Sequence, residues 1–479
     1  MASRPPLASP IPHDKGIPGL PVLLLGGFVT IFDLFVVNVA IPSMQRDLGA
    51  SFAQIGFVLA GYELAFGALL ITGGRLGDRF GRRRLYLWGM TLFTLASLLC
   101  GIAPTAEALI VARVFQGGAA GLLFPQIYAS LRVLYDAHTQ RRAFAWLGMT
   151  LGLAAIAGQV LGGWLVHLDL AGLGWRTIFL VNLPVGLVTL MFGGRLAESR
   201  LEQKPDLDGP GVLLVASGLT LLLVALLEGP TRHWPLWCWG ALALSILLLA
   251  LFSTQQRHRQ SRGRLPLVDM ALLQQPAFAL GCLLVTLIYS TSSSFFLCFA
   301  LLVQTGLGLD PFQAGALFAP ASAGFMASSL LASRWVARYG TATLVAGGGL
   351  YAVSLGALIA QVHWTAPEGQ LVGWVPVLIA VGFGQGLVMT PLLNLVLGVV
   401  PRQQAGMASG VVSTLQQVGA ALGVCAMGIL FLGTLRAAPL ADPATAHVDA
   451  FVTAMLYNLT AAALSCVLLQ RLRGLGHNA

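Results

Sequence analysis

The sequence predicts an all-α, polytopic membrane protein. Of its 479 residues, 57% are apolar and only 9% are charged, whereas ordinary soluble domains carry about 25% charged residues. Apolar runs close to the ~20 residues that a helix needs to cross hydrocarbon recur along the whole chain. The basic residues fall between these runs, in alternate connections. These three observations favour a chain that crosses the bilayer many times.

We count fourteen apolar spans, an even number that places both termini on one side of the membrane. In that layout, 22 of the 27 Lys and Arg lie on the side of the connection that contains Arg82, four lie opposite, and Arg113 lies within a span. Lys and Arg are retained on the cytoplasmic side, so both termini are predicted to be cytoplasmic. The spans are residues 18–41, 52–74, 85–103, 108–131, 143–167, 177–194, 210–228, 235–252, 277–303, 312–333, 343–362, 371–399, 405–434 and 450–470.

Two long polar interruptions, residues 195–209 and 253–276, divide the spans into groups of six, two and six. The first 16 residues lack the pattern of a cleavable signal peptide, so we expect span 1 to act as its own insertion signal. The predicted organisation is a cytoplasmic tail (1–17), an N-terminal six-helix bundle (18–194), a linker region with two extra transmembrane helices (195–276), a C-terminal six-helix bundle (277–470) and a cytoplasmic tail (471–479).

Composition also weighs against several classes of function. A net charge of +9 would favour nucleic-acid binding only if the basic residues clustered on one face, and here they are spread over many connections. The six cysteines lie in apolar runs without CxxC spacing, so neither a disulfide framework nor a metal site is predicted. The chain has no G-x-x-x-x-G-K-[ST] sequence. We therefore expect no cofactor, and energy from an ion gradient or from the substrate gradient.

A glycine-rich basic segment, Gly74-Arg75-Leu76-Gly77-Asp78-Arg79-Phe80-Gly81-Arg82-Arg83-Arg84, separates spans 2 and 3 and is predicted to be a tight cytoplasmic loop. Asp78 is its only acid, and it needs a partner among the arginines or at the positive end of a helix. The alternative is a loop that only sets topology. The segment resembles the loop signature of the major facilitator superfamily, G-x-L-x-D-R-x-G-R-R-R, which lies between the second and third helices of those transporters. This resemblance implies that Asp78 reaches the N-terminal end of helix 13, near Ala405, and so clasps the two halves together on the cytoplasmic face.

An internal repeat supports this resemblance. The sequence from Ser333 to Gly340 follows span 10 as the sequence from Gly74 to Gly81 follows span 2, with Ala337 in the position of Asp78. Parallel repeats of this kind are expected of the two halves of the major facilitator fold, with the transport site between them.

Further motifs resemble the fourteen-helix drug/proton antiporter branch of that superfamily, the EmrB/QacA-like branch. They cover almost the whole chain, and they imply the major facilitator fold and proton-coupled efflux by alternating access. The matching stretches are Asp33 to Pro42, Arg113 to Gly117, Trp175 to Pro184, Asp208-Gly209 and Ala405 to Gly423.

Span 5 departs from the antiporter pattern G-x-x-x-G-P-x-x-G-G, because Gln159 stands where proline is expected. This weakens the expected kink. Four glycines of the span fall within an arc of about 120° at 100° per residue, which predicts one face for close helix contact; they are Gly148, Gly152, Gly158 and Gly162. The residues predicted to act in conformational gating are Gly74, Asp78, Arg79, Gly81, Arg82, Gly158, Gly162 and Gly163.

Only three charged residues, Asp33, Glu63 and Arg113, lie well inside a span. A charge there costs at least ~2.5 kcal/mol on insertion scales, so each is a functional candidate. Burial favours a neutral carboxyl and a guanidinium favours a charged one, so a conformational change that alters both could load and unload a proton. We therefore predict proton coupling by Asp33 or Glu63, with Arg113 tuning a carboxylate. The alternative is a structural ion pair between helices 1 and 4, with Glu63 facing an aqueous cavity.

Uncharged polar and aromatic residues within the spans could line a substrate cavity, although hydrogen bonds between helices would also explain the polar ones. The tentative cavity residues are Asn38, Tyr62, Phe66, Gln116, Gln126, Tyr289, Gln385 and Asn394.

Together with the buried acids, the resemblance to the drug/proton antiporter branch implies an inner-membrane, proton-coupled efflux transporter that exports lipophilic, cationic drugs or toxic compounds and confers antibiotic resistance. Its expected partners are a small-molecule substrate, protons and the lipid bilayer, with no nucleic acid. Whether a periplasmic adaptor joins it is left open. The alternatives are an exporter dedicated to one metabolite or natural product, and a membrane sensor that does not transport. No paired acid and base constellation favours an enzyme.

Overall fold

The computed structural model describes residues 19–200, 207–264, 266–366, 371–400, 405–437 and 442–477. Within these ranges it contains fourteen helices long and apolar enough to cross a membrane, which confirms the predicted all-α membrane fold. They are α1 Leu20–Leu48, α2 Phe52–Phe80, α3 Arg82–Gly101, α4 Ala106–Leu134, α5 Ala137–Leu168, α6 Gly174–Met191, α7 Gly209–Thr231, α8 Leu236–Ser261, α9 Pro276–Ala300, α10 Pro311–Tyr339, α11 Ala342–Thr365, α12 Val375–Gly398, α13 Ala405–Ala437 and α14 Pro443–His477.

Polar side chains in the short connections fix where several helices begin. Ser51 and Gln54 form a reciprocal capping box at α2, and Asp310 and Gln313 form one at α10. Asp208 caps α7 through the amide of Gly211 at 3.0 Å. Each cap satisfies amides that the first helical turn leaves without a partner.

Helices α1–α6 form the N-terminal half and α9–α14 the C-terminal half, with α7 and α8 between them in the chain. We call the end of the bundle that carries Arg82 the basic end, and the other the far end. The halves meet along two seams, where α2 packs on α13 and α5 packs on α10. Helix α7 packs on both α2 and α13, so it covers the outside of the first seam.

Two arginine hydrogen bonds fasten this extra helix pair to both halves. At the far end, Arg436 of α13 donates to the carbonyl of Pro230 at 2.5 Å. At the basic end, Arg75 of α2 donates at 2.5 Å to the carbonyl of Pro266, which lies in the connection that follows α8. The pair is therefore a brace that leaves the α5–α10 seam uncovered.

The buried apolar residues are distributed unequally between the two ends. One cluster joins both halves and lies toward the far end, where Phe35 of α1 meets Phe296 of α9 edge-on at 5.4 Å. The buried residues of two further clusters each belong to one half and lie toward the basic end. The two halves are thus packed together at the far end.

The predicted loop from Gly74 to Arg84 is wrong in extent. Helix α2 continues to Phe80 and α3 starts at Arg82, so Gly81 alone makes the turn, with a φ of 109°. The helix continues because Gly73 and Gly77 lie directly against α4, where burial stabilises a helix despite its glycines. The repeat behaves alike, since Gly340 ends α10 with a φ of 61°.

Other helix ends also extend beyond the predicted spans. Helix α1 runs to Leu48 rather than residue 41, and α8 to Ser261 rather than residue 252. The predicted tail 471–479 is helical as far as His477, because α14 continues past the apolar span. Hydropathy marks the apolar part of a helix, whereas backbone hydrogen bonding continues into polar sequence.

Candidate transport site

Among the described residues, the most buried charges form an ion pair inside the N-terminal half. Arg113 of α4 donates to Oδ2 of Asp33 on α1 at 2.5 Å, and the two side chains are 1% and 0% exposed. Oδ1 of Asp33 accepts from the amides of Gln116 and Asn182, both at 2.8 Å. The Gln116 amide also donates to Ser97 of α3 at 2.8 Å. Asp33 therefore has three side-chain donors drawn from α4 and α6.

The Arg113 side chain is held from α2 as well. Its Nε donates to the carbonyl of Val58 at 3.2 Å, and its guanidinium lies 4.1 Å from the centre of the Tyr62 ring. Breaking a buried pair of this kind by removing one partner typically costs about 3–5 kcal/mol. The ion pair between helices 1 and 4, which the sequence analysis gave as the alternative to proton coupling, is thus observed. With its neighbours it joins α1, α2, α4 and α6 into one body.

Glu63 lies apart from this network, at the interface of the halves. It is 5% exposed, and its Oε1 accepts from the hydroxyl of Ser293 on α9 at 2.8 Å. Its Oε2 is buried and has no hydrogen-bond partner among the described residues. Of the three intramembrane charges, Glu63 is the one whose hydrogen bond crosses between the halves.

A second polar contact crosses the other seam. Gln159 of α5, fully buried where the antiporter pattern has proline, accepts from Ser322 of α10 at 3.2 Å. Its Nε2 has no partner among the described residues. At the far end, Gln304, in a π-helical turn after α9, donates to the carbonyl of Val39 at 2.8 Å. The far-end closure thus combines apolar packing with these specific polar contacts.

The predicted glycine face of span 5 is wrong as a single surface. A side chain at Gly158 would meet the backbone of Phe32 on α1 at 2.9 Å, and one at Gly163 would collide with the backbone of Pro311 on α10. A side chain at Gly148 would meet no atom of the described chain within 4 Å. Helix α5 lies between α1 and α10, so its small residues serve two neighbours. Gly162 faces α1, and Gly152 faces Met326 of α10.

The predicted gating residues near the basic end gather around the α2–α3 turn. Oδ1 of Asp78 accepts from Arg82 at 2.6 Å, so in this state its partner is an arginine of the same segment. The first amides of α3 are instead capped by Glu198, whose carboxylate accepts from the backbone of Arg83 at 3.1 Å and of Arg84 at 3.3 Å. Gly74 lies near Pro125, and Arg79 lies over the ring of Phe80.

The candidate cavity residues divide into two groups. Gln116 belongs to the Asp33 network, and Gln126 donates to the carbonyl of Gly73 at 2.8 Å, which joins α4 to α2. Tyr62 and Phe66 are buried aromatic neighbours whose ring centres lie 6.0 Å apart. Asn38 donates to the carbonyl of Leu34 in its own helix at 3.5 Å. These side chains are occupied by contacts within the N-terminal half.

The three remaining candidates belong to the C-terminal half. Tyr289 of α9 is hydrogen-bonded to Gln416 of α13. Gln385 is 7% exposed, and Asn394, nearer the basic end of α12, is exposed. Asn394 is therefore the candidate with the most exposed side chain.

Sequence reasoning missed the serines that contact Glu63 and Gln159. A signal was available for Ser293, because the stretch from Ser290 to Ser294 is five consecutive hydroxyl residues inside an apolar span. Ser322 stands alone between apolar neighbours, so only the packing of α10 on α5 reveals it. Glu198 lies in a polar connection, where no pattern distinguishes a helix cap from a solvated acid.

Comparisons with known proteins agree with this architecture. The family model described as Major Facilitator Superfamily matches residues 23–424. The chain is 35% identical to the "Probable actinorhodin transporter" of Streptomyces coelicolor, over 92% of this chain and 76% of that protein. It is also 35% identical to the puromycin resistance protein of Streptomyces alboniger, over 89% of this chain and 84% of that protein.

A solved structure shares the fold at low sequence identity. It is a bacterial homologue of the human lysosomal transporter Spinster in an inward-facing, unoccupied conformation, with a TM-score of 0.65 at 15% identity, over 96% of this chain and 98% of that one. Fourteen apolar helices in two packed halves and a family match over most of the chain lead to one conclusion: the chain is a multi-pass membrane transporter that belongs to the Major Facilitator Superfamily.

Proposed function

We propose that this transporter is a proton-coupled exporter of lipophilic, mainly cationic compounds, and that it lies in the inner membrane with its basic end and both termini in the cytoplasm. The observation that carries the proposal is Glu63, a carboxyl group buried between the halves with one oxygen bonded to Ser293 and the other without a partner among the described residues. An unpaired buried charge is costly. A proton or a substrate cation bound at Oε2 removes that cost.

Competition for this carboxyl would couple the two fluxes. When the far end opens, α2 and α9 separate, the Ser293 bond breaks and Glu63 faces the outside. A proton entering from that side displaces the cation, and after the halves rock back the proton leaves and the next cation binds. Because this carboxyl binds either the proton or the cation, but not both, the proton moves inward while the cation moves outward.

We assign Asp33 a second role in coupling. Its partner Arg113 lies over the ring of Tyr62, which is adjacent in sequence to Glu63 on α2. Protonation of Asp33 would remove the counter-charge of Arg113 and loosen its hold on α2. The relatives named for antibiotic transport or resistance support efflux, and the retention of basic residues on the cytoplasmic side supports the orientation.

Inverted membrane vesicles test the proposal directly. We expect a fluorescent lipophilic cation to be taken up when the vesicle interior is acidified, and we expect the uptake to stop when a protonophore collapses the pH gradient. A fluorescent neutral compound of similar hydrophobicity reports the breadth of substrates. Uptake that is unaffected by the protonophore would contradict proton coupling. Absence of flux in proteoliposomes that contain the purified protein would favour the alternative of a membrane sensor that does not transport.

A second candidate function is a dedicated exporter of one natural product. It is favoured by relatives named for single compounds, actinorhodin and puromycin. Resistance profiling of a deletion strain against unrelated lipophilic cations separates the two. Sensitivity to one compound alone would support the dedicated exporter.

A further inference from the structure

A groove opens on the C-terminal half, away from Glu63 and the Asp33 network. It has a volume of about 270 Å³ and lies where the last turns of α10, the first turns of α11 and the middle of α12 meet. Its lining is almost entirely apolar and consists of Trp335, Tyr339, Ala342, Thr343, Ala346 and Leu387. Trp and Tyr are the residues enriched at membrane–water interfaces, and the lining contains one of each.

One polar atom in this lining has no partner in the described part of the chain. Thr343 is 4% exposed, and its hydroxyl makes no hydrogen bond to any described residue. A buried hydroxyl without a partner is unfavourable. An oxygen-rich ligand in the groove would supply the missing acceptor.

The charge beside the groove is positive and not neutralised. Arg338 lies with its guanidinium 5.3 Å from the centre of the Tyr339 ring, and Arg334 lies one turn earlier on the exposed face of α10. Neither arginine takes part in an ion pair among the described residues. This surface favours an anion and disfavours a cationic transport substrate.

We propose that the groove binds one anionic phospholipid. An acyl chain lies along Ala342, Ala346 and Leu387, the hydroxyl of Thr343 donates to an ester or phosphate oxygen, and Arg338 and Arg334 contact the headgroup. The apolar lining, the unpartnered hydroxyl and the two arginines match the three parts of such a lipid. The site does not depend on the proposed proton coupling or on the substrate.

Native mass spectrometry of the purified full chain tests the site without any transport assay. The protein is incubated with equal amounts of phosphatidylglycerol and phosphatidylcholine that carry the same acyl chains. We expect the first retained lipid to be phosphatidylglycerol, in several-fold excess. Equal retention of the two lipids, or retention of neither, would overturn the proposal.

Variants locate the site. Arg338→Gln should reduce the preference for phosphatidylglycerol about fivefold, the factor expected for one arginine near a charged headgroup. Arg257→Gln removes an exposed arginine of α8 at the same end and should leave the preference unchanged. Thr343→Val should weaken retention, and Ala346→Phe should fill the groove and abolish it. If Ala346→Phe does not fold, Arg338→Gln and Arg257→Gln are compared for their preference for phosphatidylglycerol. An equal preference in these two variants refutes the assignment of the site to the groove.

Discussion

Asp33 and Glu63 are both buried acids of the N-terminal half, yet their surroundings differ. Asp33 is fully satisfied, with Arg113, Gln116 and Asn182 as donors. Glu63 has one donor, which comes from the other half, and one oxygen without a partner among the described residues. Asp33 therefore stabilises the N-terminal half, whereas the hydrogen bonding of Glu63 depends on whether the two halves are in contact.

The Asp33→Asn variant should abolish proton-driven export while folded protein remains in the membrane. It preserves the shape of the side chain but leaves Arg113 without its counter-charge, so we also expect a lower unfolding temperature. Efflux in inverted vesicles and thermal unfolding of the purified protein measure the two effects.

A double variant, Asp33→Asn with Arg113→Gln, serves as the control for that result. It removes the uncompensated charge and should recover much of the unfolding temperature without recovering export. Recovery of both would show that the pair is structural and that Asp33 does not couple protons.

The Glu63→Gln variant should lose export of cations and retain export of neutral compounds. Gln keeps an oxygen that can accept from Ser293 but carries no charge to attract a cation. Transport of a cation and of a neutral compound of similar size is compared in the same vesicles.

The neighbouring serines give matched controls for this test. Ser293→Ala removes the hydroxyl that Glu63 accepts from and should alter cation export. Ser292→Ala should not, because the Ser292 side chain makes no hydrogen bond to Glu63. An equal loss of cations and neutral compounds in Glu63→Gln would instead indicate a general role in coupling or folding.

Among the helices, the junction of α2 and α3 is the most constrained. Gly81 makes the whole turn, Glu198 caps α3, and the backbone amide of Arg82 donates to Ser199 at 2.9 Å. Asp78 pairs with Arg82 within this junction. Its predicted partner, the start of α13, is preceded by residues 401–404, which lie outside the described residues, so the predicted clasp between the halves stays a prediction.

The Asp78→Asn variant should favour the state that is closed at the far end. If Asp78 moves to the α13 terminus when the basic end closes, losing that charge–dipole contact of about 0.3–1 kcal/mol shifts the populations by about twofold to fivefold. A cysteine placed at Asn394, which is exposed toward the basic end, should then be labelled faster, with substrate binding kept. Arg84→Gln, at an exposed arginine of the same segment, is the control and should leave the labelling rate unchanged. Unchanged labelling in Asp78→Asn would reduce the segment to a role in topology.

At the scale of the whole molecule, the two seams differ. The brace formed by α7 and α8 covers the α2–α13 seam and is hydrogen-bonded to both halves, whereas nothing in the described chain covers the α5–α10 seam. Contact between the halves at the far end includes His167 of α5 and Phe312 of α10, whose ring centres lie 6.1 Å apart. Alternating access requires these two residues to separate in each cycle.

A disulfide between cysteines at His167 and Phe312 should stop transport, because it holds the far end closed. Transport should return on reduction, and each single variant should be active. A disulfide between cysteines at Asp47 and Arg176, which form an ion pair within the N-terminal half at the same end, should leave transport unchanged. Normal flux through the oxidised His167→Cys, Phe312→Cys protein would show that the far end does not open there.

The sequence by itself determined the fold class, the fourteen spans and the three intramembrane charges. It could do so because hydrocarbon imposes a length and an apolar composition on every spanning helix, and because a charge within such a helix stands out. The same reasoning selected Asp33, Glu63 and Arg113, and it named an ion pair between helices 1 and 4 only as an alternative to proton coupling. The repeated sequence after spans 2 and 10 also indicated that α2 and α10 are corresponding helices of the two halves.

The tertiary structure alone decided which partners these residues have. Only the arrangement of the two halves, with α2 near α9 and α5 packed on α10, shows that Glu63 meets Ser293 and that Gln159 meets Ser322. Those contacts join residues more than 160 positions apart in the chain. The tertiary structure also decided the length of the turn between α2 and α3. Because the glycines before Gly81 are buried as part of α2, Gly81 alone makes the turn. Hydropathy shows whether a helix lies in hydrocarbon or in water. Which faces of two helices pack together depends on the arrangement of the whole chain.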